Sequence, residues 1–289
     1  EFSMQTTMVS IGDTSLAVQI CGSGPPLVLL HAFPLDHTMW HRVLSLADHA
    51  RLIIPDQRGF GCSKRGDPVK PEDSGKPEIA SIAQLADDVA KLLDALGIEE
   101  PAAIAGISMG GYVAQHVAIQ HPEKVSRLIL IDTKFSADTP EARESRAHLA
   151  ATVGRVGQHV LADAMVPNLL AATGSARSHL ERTANEKFLR ECIGKQSVAT
   201  IQAALKALAD RPDMSEPMQH IEKPVLLICG SEDTITPPAV MESMEKILPE
   251  GHLLIVSDAG HLVPLEAPAV FHEAVCSFLG LPMEQAGGS

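Results

Sequence analysis

A serine, a histidine and a small choice of carboxylates occur here in settings that can make an alcohol oxygen reactive. Ser108 lies in "IAGISMGGYV", residues 104–113, with Gly106 and Gly110 on either side of it and Gly111 close behind. A serine hydroxyl is a weak nucleophile until a base takes its proton, and the base needs a third group to fix its tautomer. Of the 13 histidines, His261 in "SDAGHLVPLE" stands apart, because it follows an apolar run and precedes a helical one. For the third group, "CGSEDTITPP" offers Glu232 and Asp233, and Asp132 ends another apolar run. The plainer reading of Ser108 is that it caps a helix.

The flanking segments predict how these residues are held. Leu27 to Leu30 and Leu52 to Ile54 are continuously apolar, as strands buried on both faces are. Alternating segments on either side of Gly12-Asp13 predict a hairpin. Residues 64–78, rich in Pro, Gly and charge, read as a surface loop. Apolar residues from Ile82 to Leu96 recur at helical spacing, and Gly97 ends the run. A strand at 102–107, a helix at 109–120 and a strand at 125–131 follow. The rhythm then breaks into Ala-rich helical pieces at 138–152, 155–166, 176–189 and 195–209, punctuated by Pro167 and Gly174. It resumes with a strand at 224–230, a helix at 238–247, a strand at 252–257 and a helix at 268–279. This predicts a mostly parallel α/β sheet wrapped by helices. Residues 4–133 and 221–281 form the core, and 134–220 a helical insert. Ser108, Asp132, Glu232, Asp233 and His261 all then fall past the carboxyl ends of strands.

Composition narrows the function classes. The net charge of −13 argues against nucleic acid and against an anionic membrane surface. No apolar run is long enough for a membrane span, and the first residues do not read as a signal peptide. The five cysteines, Cys21, Cys62, Cys192, Cys229 and Cys276, are odd in number and widely spaced. That fits a reducing cytoplasm better than a disulfide scaffold. There is no phosphate-binding P-loop, no dinucleotide spacing of glycines, and no metal-ligand cluster. No cofactor or metal is expected.

The motifs together resemble the α/β-hydrolase family, in its capped, serine-dependent esterase form. "LLHAFPLDHTMW" resembles the family's oxyanion segment, with Ala32 where glycine is usual. "PDQRGFGCS", "GISMGG", "GSEDTITPP" and "DAGHLVPLEAP" resemble, in order, the loop after the next strand, the nucleophile elbow, the acid loop and the histidine loop. The resemblance implies a triad of Ser108, Asp233 and His261 in the family's chain order, with Asp233 rather than Glu232 as acid. It also implies an oxyanion hole made by the N–H groups of Phe33 and Met109, His31 as a brace, and a cap at 134–220. Leu35, Met39 and Trp40 are candidates for an acyl pocket, as are Met165, Leu169 and Leu170 from the insert and Val263 beside the histidine. Asp56 and Arg58 are expected to hold their loop by charged hydrogen bonds, and Cys62 to pack. The implied activity is hydrolysis of a small or medium carboxylic ester through an acyl-enzyme. Enol-lactone hydrolysis and cofactor-free perhydrolysis are the alternatives, with a non-catalytic ligand-binding relative behind them. The expected partner is a small ester or lactone, and the chain a monomer or homodimer.

Overall fold

The computed structural model of the protein describes residues 6–63, 78–172 and 179–282. All but the last residue of the loop expected at 64–78 lies outside these, as do Gly174 and the start of the helix expected at 176–189. Eight strands form one sheet in the order β1-β2-β4-β3-β5-β6-β7-β8. Strands β1 (Thr6–Ser10) and β2 (Ser15–Cys21) make the hairpin around Gly12-Asp13 and run antiparallel to their neighbours. The strands β3 (Pro26–Leu30), β4 (Arg51–Pro55), β5 (Ala102–Ile107), β6 (Val125–Ile131), β7 (Val225–Gly230) and β8 (Gly251–Val256) are parallel. Every residue of β3, β5 and β7 is buried. Their side chains alternate between two helix-covered faces, so both faces must be apolar. Each leucine or isoleucine so buried contributes about 1.5–3 kcal/mol. The edge strands β1 and β8 carry more exposed positions.

Helix α1 (Ile82–Ala95) starts where the Ser81 hydroxyl accepts from Gln84 N at 3.0 Å, and it packs on α2 (Met109–Gln120). After β7 come α8 (Pro238–Glu245), and past β8 the short α9 (Val263–Glu266) and α10 (Pro268–Leu279). A 3-10 helix, His37–Asp48, packs on α9 and α10. It was not expected, although its buried residues Met39, Trp40, Val43, Leu46 and Ala47 recur at helical spacing. Asp36 starts it by accepting from Thr38 N at 3.0 Å.

Between β6 and β7 lie α3 (Pro140–Val156), α4 (His159–Leu169), α5 (His179–Gly194), α6 (Val198–Ala209) and α7 (Ser215–Met218). One expectation fails within α4, where Pro167 lies inside the helix rather than ending it. Its ring is on the exposed side, where water can take the carbonyl left without an N–H. The short helices α7 and α9 are too brief for periodicity to reveal.

Register brings the chemistry to one edge. Leu30 of β3 pairs with Gly106 of β5, and Gly106 with Leu130 of β6. Ile131 pairs with Ile228 of β7, and Gly230 with Val256 of β8. The strands therefore end nearly level, at the carboxyl edge where open α/β sheets place their sites.

Candidate active site

Ser108 follows β5 directly and opens α2, with φ 52 and ψ −112. A positive φ is costly for a side chain with a Cβ, and such strain concentrates at functional positions. The turn is held from both sides: Ser108 N donates to Ile131 O at 2.9 Å, and Thr133 Oγ1 donates to Ser108 O at 2.9 Å. Close backbone approach explains the flanking glycines. A Cβ on Gly106 would lie 2.1 Å from Gly110 O, and one on Gly110 would lie 2.1 Å from Leu30 O. Although Ser108 occupies the N-cap position, its side chain makes no capping bond. The plain helix-cap reading therefore fails, and the hydroxyl is left for something else.

The segment after β3 turns beside this elbow, with Leu35 N donating to Ala32 O at 2.9 Å. His31 is fully buried and braces the turn. Its Nε2 accepts from Gln57 N at 3.0 Å, and its Nδ1 lies 3.0 Å from Ala32 O. A nitrogen that accepts carries no proton, so His31 is the neutral Nδ1–H tautomer. Burial, which lowers its pKa, favours the same form. Met39 Sδ accepts from Ala32 N at 3.3 Å, making Met39 a support of this turn. Among the described residues, neither Phe33 N–H nor Met109 N–H has a hydrogen-bond partner.

At the other end of the edge, His261 Nδ1 lies 2.8 Å from Asp233 Oδ2. Both residues are buried. Asp233 also accepts from Thr236 Oγ1 at 2.6 Å, Thr236 N at 3.0 Å and Ile235 N at 2.8 Å. Burial alone would raise its pKa, but the bond to His261, the imidazolium charge and the Thr236 donors hold it at about 2. Of the three carboxylates considered, Asp233 alone is hydrogen bonded to His261. Glu232 instead accepts from Ala172 N at 2.8 Å. Asp132 lies behind the pair with φ 44, accepting from Gly230 N at 2.9 Å and from Val263 N at 3.3 Å. Burial and the neighbouring Asp233 charge push its pKa well above the ordinary carboxylate value. The Ser108 hydroxyl and His261 Nε2 share no hydrogen bond.

The remaining candidates separate cleanly. Leu35, Leu169 and Val263 are buried, and Met165 and Leu170 lie with them in the apolar cluster. Trp40 is fully buried against Phe271 of α10, with ring centroids 6.0 Å apart, which makes it a core residue rather than a pocket wall. Asp56 accepts from His37 N at 2.8 Å and Cys62 N at 2.7 Å. Arg58 donates to Asp88 at 2.8 and 2.7 Å and to Asp13 at 2.8 and 3.2 Å. Cys62, expected to pack, is exposed; its backbone N–H, not its thiol, does the holding. Among the described residues, two groups bring ligand-type atoms within 4.8 Å: Asp36, His37 and Asp56; and Asp132, Cys229 and Asp233. In both, the carboxylates are already committed to N–H donors. Sequence reasoning missed Thr236, Thr133 and Gln57, since no motif position distinguishes a supporting hydroxyl or amide from a surface one.

A serine on a strained strand-to-helix turn and a hydrogen-bonded acid–histidine pair thus share the carboxyl edge of one mostly parallel sheet. Residues 25–268 match the family model for the alpha/beta hydrolase fold, and the chain belongs to that family. A thermophilic esterase from Thermogutta terrifontis, solved with malate bound, has a TM-score of 0.86 at 33% identity, covering 96% of this chain and 98% of its own. The enol-lactonase of Burkholderia xenovorans LB400 has a TM-score of 0.81 at 26% identity, covering 95% and 100%. A pimeloyl-[acyl-carrier protein] methyl ester esterase of Vibrio vulnificus (strain YJ016) is 28% identical over 272 residues, 92% of this chain and 99% of that protein.

Proposed function

We propose that the protein is a carboxylic ester hydrolase that works through a Ser108–His261–Asp233 triad and an acyl-enzyme. The observation that carries this reading is the buried bond from His261 to Asp233. A carboxylate that stays ionised down to about pH 2 keeps the proton on His261 Nδ1. Nε2 is then left as a lone-pair acceptor, the form a general base needs. As substrate enters, Ser108 Oγ bonds to the carbonyl carbon and passes its proton to Nε2. Such bonds often close only in the substrate complex. The oxyanion is taken by Phe33 N–H and Met109 N–H, each supplying about 3 kcal/mol of transition-state stabilisation. Collapse of the adduct breaks the ester C–O bond, and His261 returns the proton to the departing alcohol. A water activated by the same Nε2 then releases the carboxylic acid and restores Ser108.

The insert of α3–α7 acts as a cap, contributing Met165 and Leu169 to an apolar wall completed by Leu35 and Val263. Such a wall suits a small or medium acyl group rather than a charged one. A second reading, opening of an enol-lactone, is favoured by the match to the Burkholderia enzyme. Initial rates on p-nitrophenyl esters of increasing acyl length, set beside thioesters, amides and lactones, separate the two. We expect a clear acyl-length optimum and slow amides. Flat, weak ester rates with fast lactone opening would instead assign the second activity.

A further inference from the structure

On the Asp233–His261 side the insert meets the catalytic loops at a short segment, Leu169 to Ala172. Four of its backbone polar groups have partners. Leu169 O accepts from the backbone N–H of His261 itself, at 3.1 Å. Ala171 N donates to Glu266 Oε1 at 2.9 Å, and Ala172 N to Glu232 Oε2 at 2.8 Å. The Ala171 carbonyl accepts from Arg182 of α5. Glu266, only 4% exposed, uses its other oxygen, Oε2, to accept from Gly260 N at 2.7 Å. One buried carboxylate thus bridges the residue before the histidine and the insert. The contact is close enough that a Cβ on Gly260 would lie 2.5 Å from Ala171 N. Glu266 itself sits on α9, whose Leu265 carbonyl is held by Arg42 at 3.1 Å.

A buried carboxylate costs desolvation and persists only where its acceptor sites are used. The Gly260 N–H by itself could be satisfied by water or by a shorter side chain. Spanning two chain segments makes Glu266 a brace. We infer that Glu266 is a positioning residue for His261: it locks residues 169–172 and the loop 259–262 into one unit, so that the imidazole reaches Ser108 only when the insert is seated. The inference rests on the triad reading above. Displacements of about 1 Å from the reactive geometry cost up to about 100-fold in rate, so a brace of this kind is read in kcat.

The test is built on Glu266→Gln. Glutamine keeps the shape but offers one acceptor oxygen and turns an NH₂ toward the other N–H. Active sites are first counted by fluorophosphonate titration, and kcat and KM for a p-nitrophenyl ester are then measured per titrated site. We expect kcat to fall about tenfold with KM changed less than twofold. Glu266→Asp, which keeps the charge but shortens the reach, is expected to give an intermediate loss and supplies the result if the glutamine variant does not fold. Glu232→Ala, which removes the neighbouring insert contact but not the one to Gly260, is expected to lose less than about twofold. Wild-type kcat per site in a folded Glu266 variant would overturn the inference. So would a rise in KM alone, since that marks a wall of the pocket and not a positioner of the base. Failure of the native enzyme to titrate at all would remove the triad reading, and this inference with it.

Discussion

The two ends of the site are built differently. The acid–histidine end is saturated with hydrogen bonds: Asp233 takes four, and His261 is held through its ring and its backbone N–H. At the nucleophile end the Ser108 side chain caps nothing, and the N–H groups of Phe33 and Met109 have no partner among the described residues. Rigidity falls on the histidine that the proposed mechanism makes the base, which must keep one tautomer. On the proposed mechanism, open valence is kept where a substrate oxygen and carbon would arrive. Unpaired donors normally cost stability, so leaving these free makes sense if a developing anion is to fill them.

The first way to break that contrast is to remove its open end. Ser108→Ala is expected to lower kcat by about 10⁴-fold or more while the far-UV dichroism stays native. Removing the saturated end's key acceptor comes next. Asp233→Asn is expected to cost about 10³–10⁴-fold, because an amide permits the wrong imidazole tautomer. Glu232→Gln serves as the control, and steady-state ester kinetics on both variants would expose a wrong choice of acid by reversing their ranking.

The smallest effect sharpens the contrast through pH. Asp233 has a lowered pKa, so its contribution to stability is present above 3.8 and is lost as pH falls toward about 2. Asp132 has a raised one, so the folded state holds its proton more tightly than the unfolded chain, and stability from this group grows as pH falls toward 3.8. Asparagine tolerates the positive φ at this position. Melting wild type and Asp132→Asn across about pH 7.5 to about pH 4.5 is therefore expected to show the Tm difference, wild type minus variant, increasing as pH drops. A constant difference would mean that Asp132 is an ordinary ionised carboxylate.

Much of this was legible from residue order alone. Continuous apolar runs mark β3, β5 and β7 because both sheet faces are covered, and the Gly-x-Ser-x-Gly pattern marks the elbow because backbone contacts forbid side chains on either side. Asp233 separated from Glu232 only by resemblance until the imidazole bond was seen; two adjacent acids in one loop look alike to any local rule. Helix α9 stayed hidden because four residues are too few for a periodic signal, whereas the 3-10 helix has one that went unread: Met39, Trp40, Val43, Leu46 and Ala47 recur at helical spacing. The continuation of α4 through Pro167 depends on which side of the helix meets water, which only tertiary structure decides. Glu266 stayed hidden for a related reason. Its two partners are backbone N–H groups, one of them 95 residues away, and backbone donors leave no mark in a sequence.

The central claim is that the Ser108 hydroxyl is activated by His261. Its most direct test is intact-mass and peptide mapping after brief exposure to a fluorophosphonate, run on wild type and on His261→Ala. The account predicts one adduct per chain, on Ser108, formed rapidly in wild type and slowed by orders of magnitude without the imidazole. Equal labelling rates in the two proteins, or an adduct on any residue but Ser108, would contradict it.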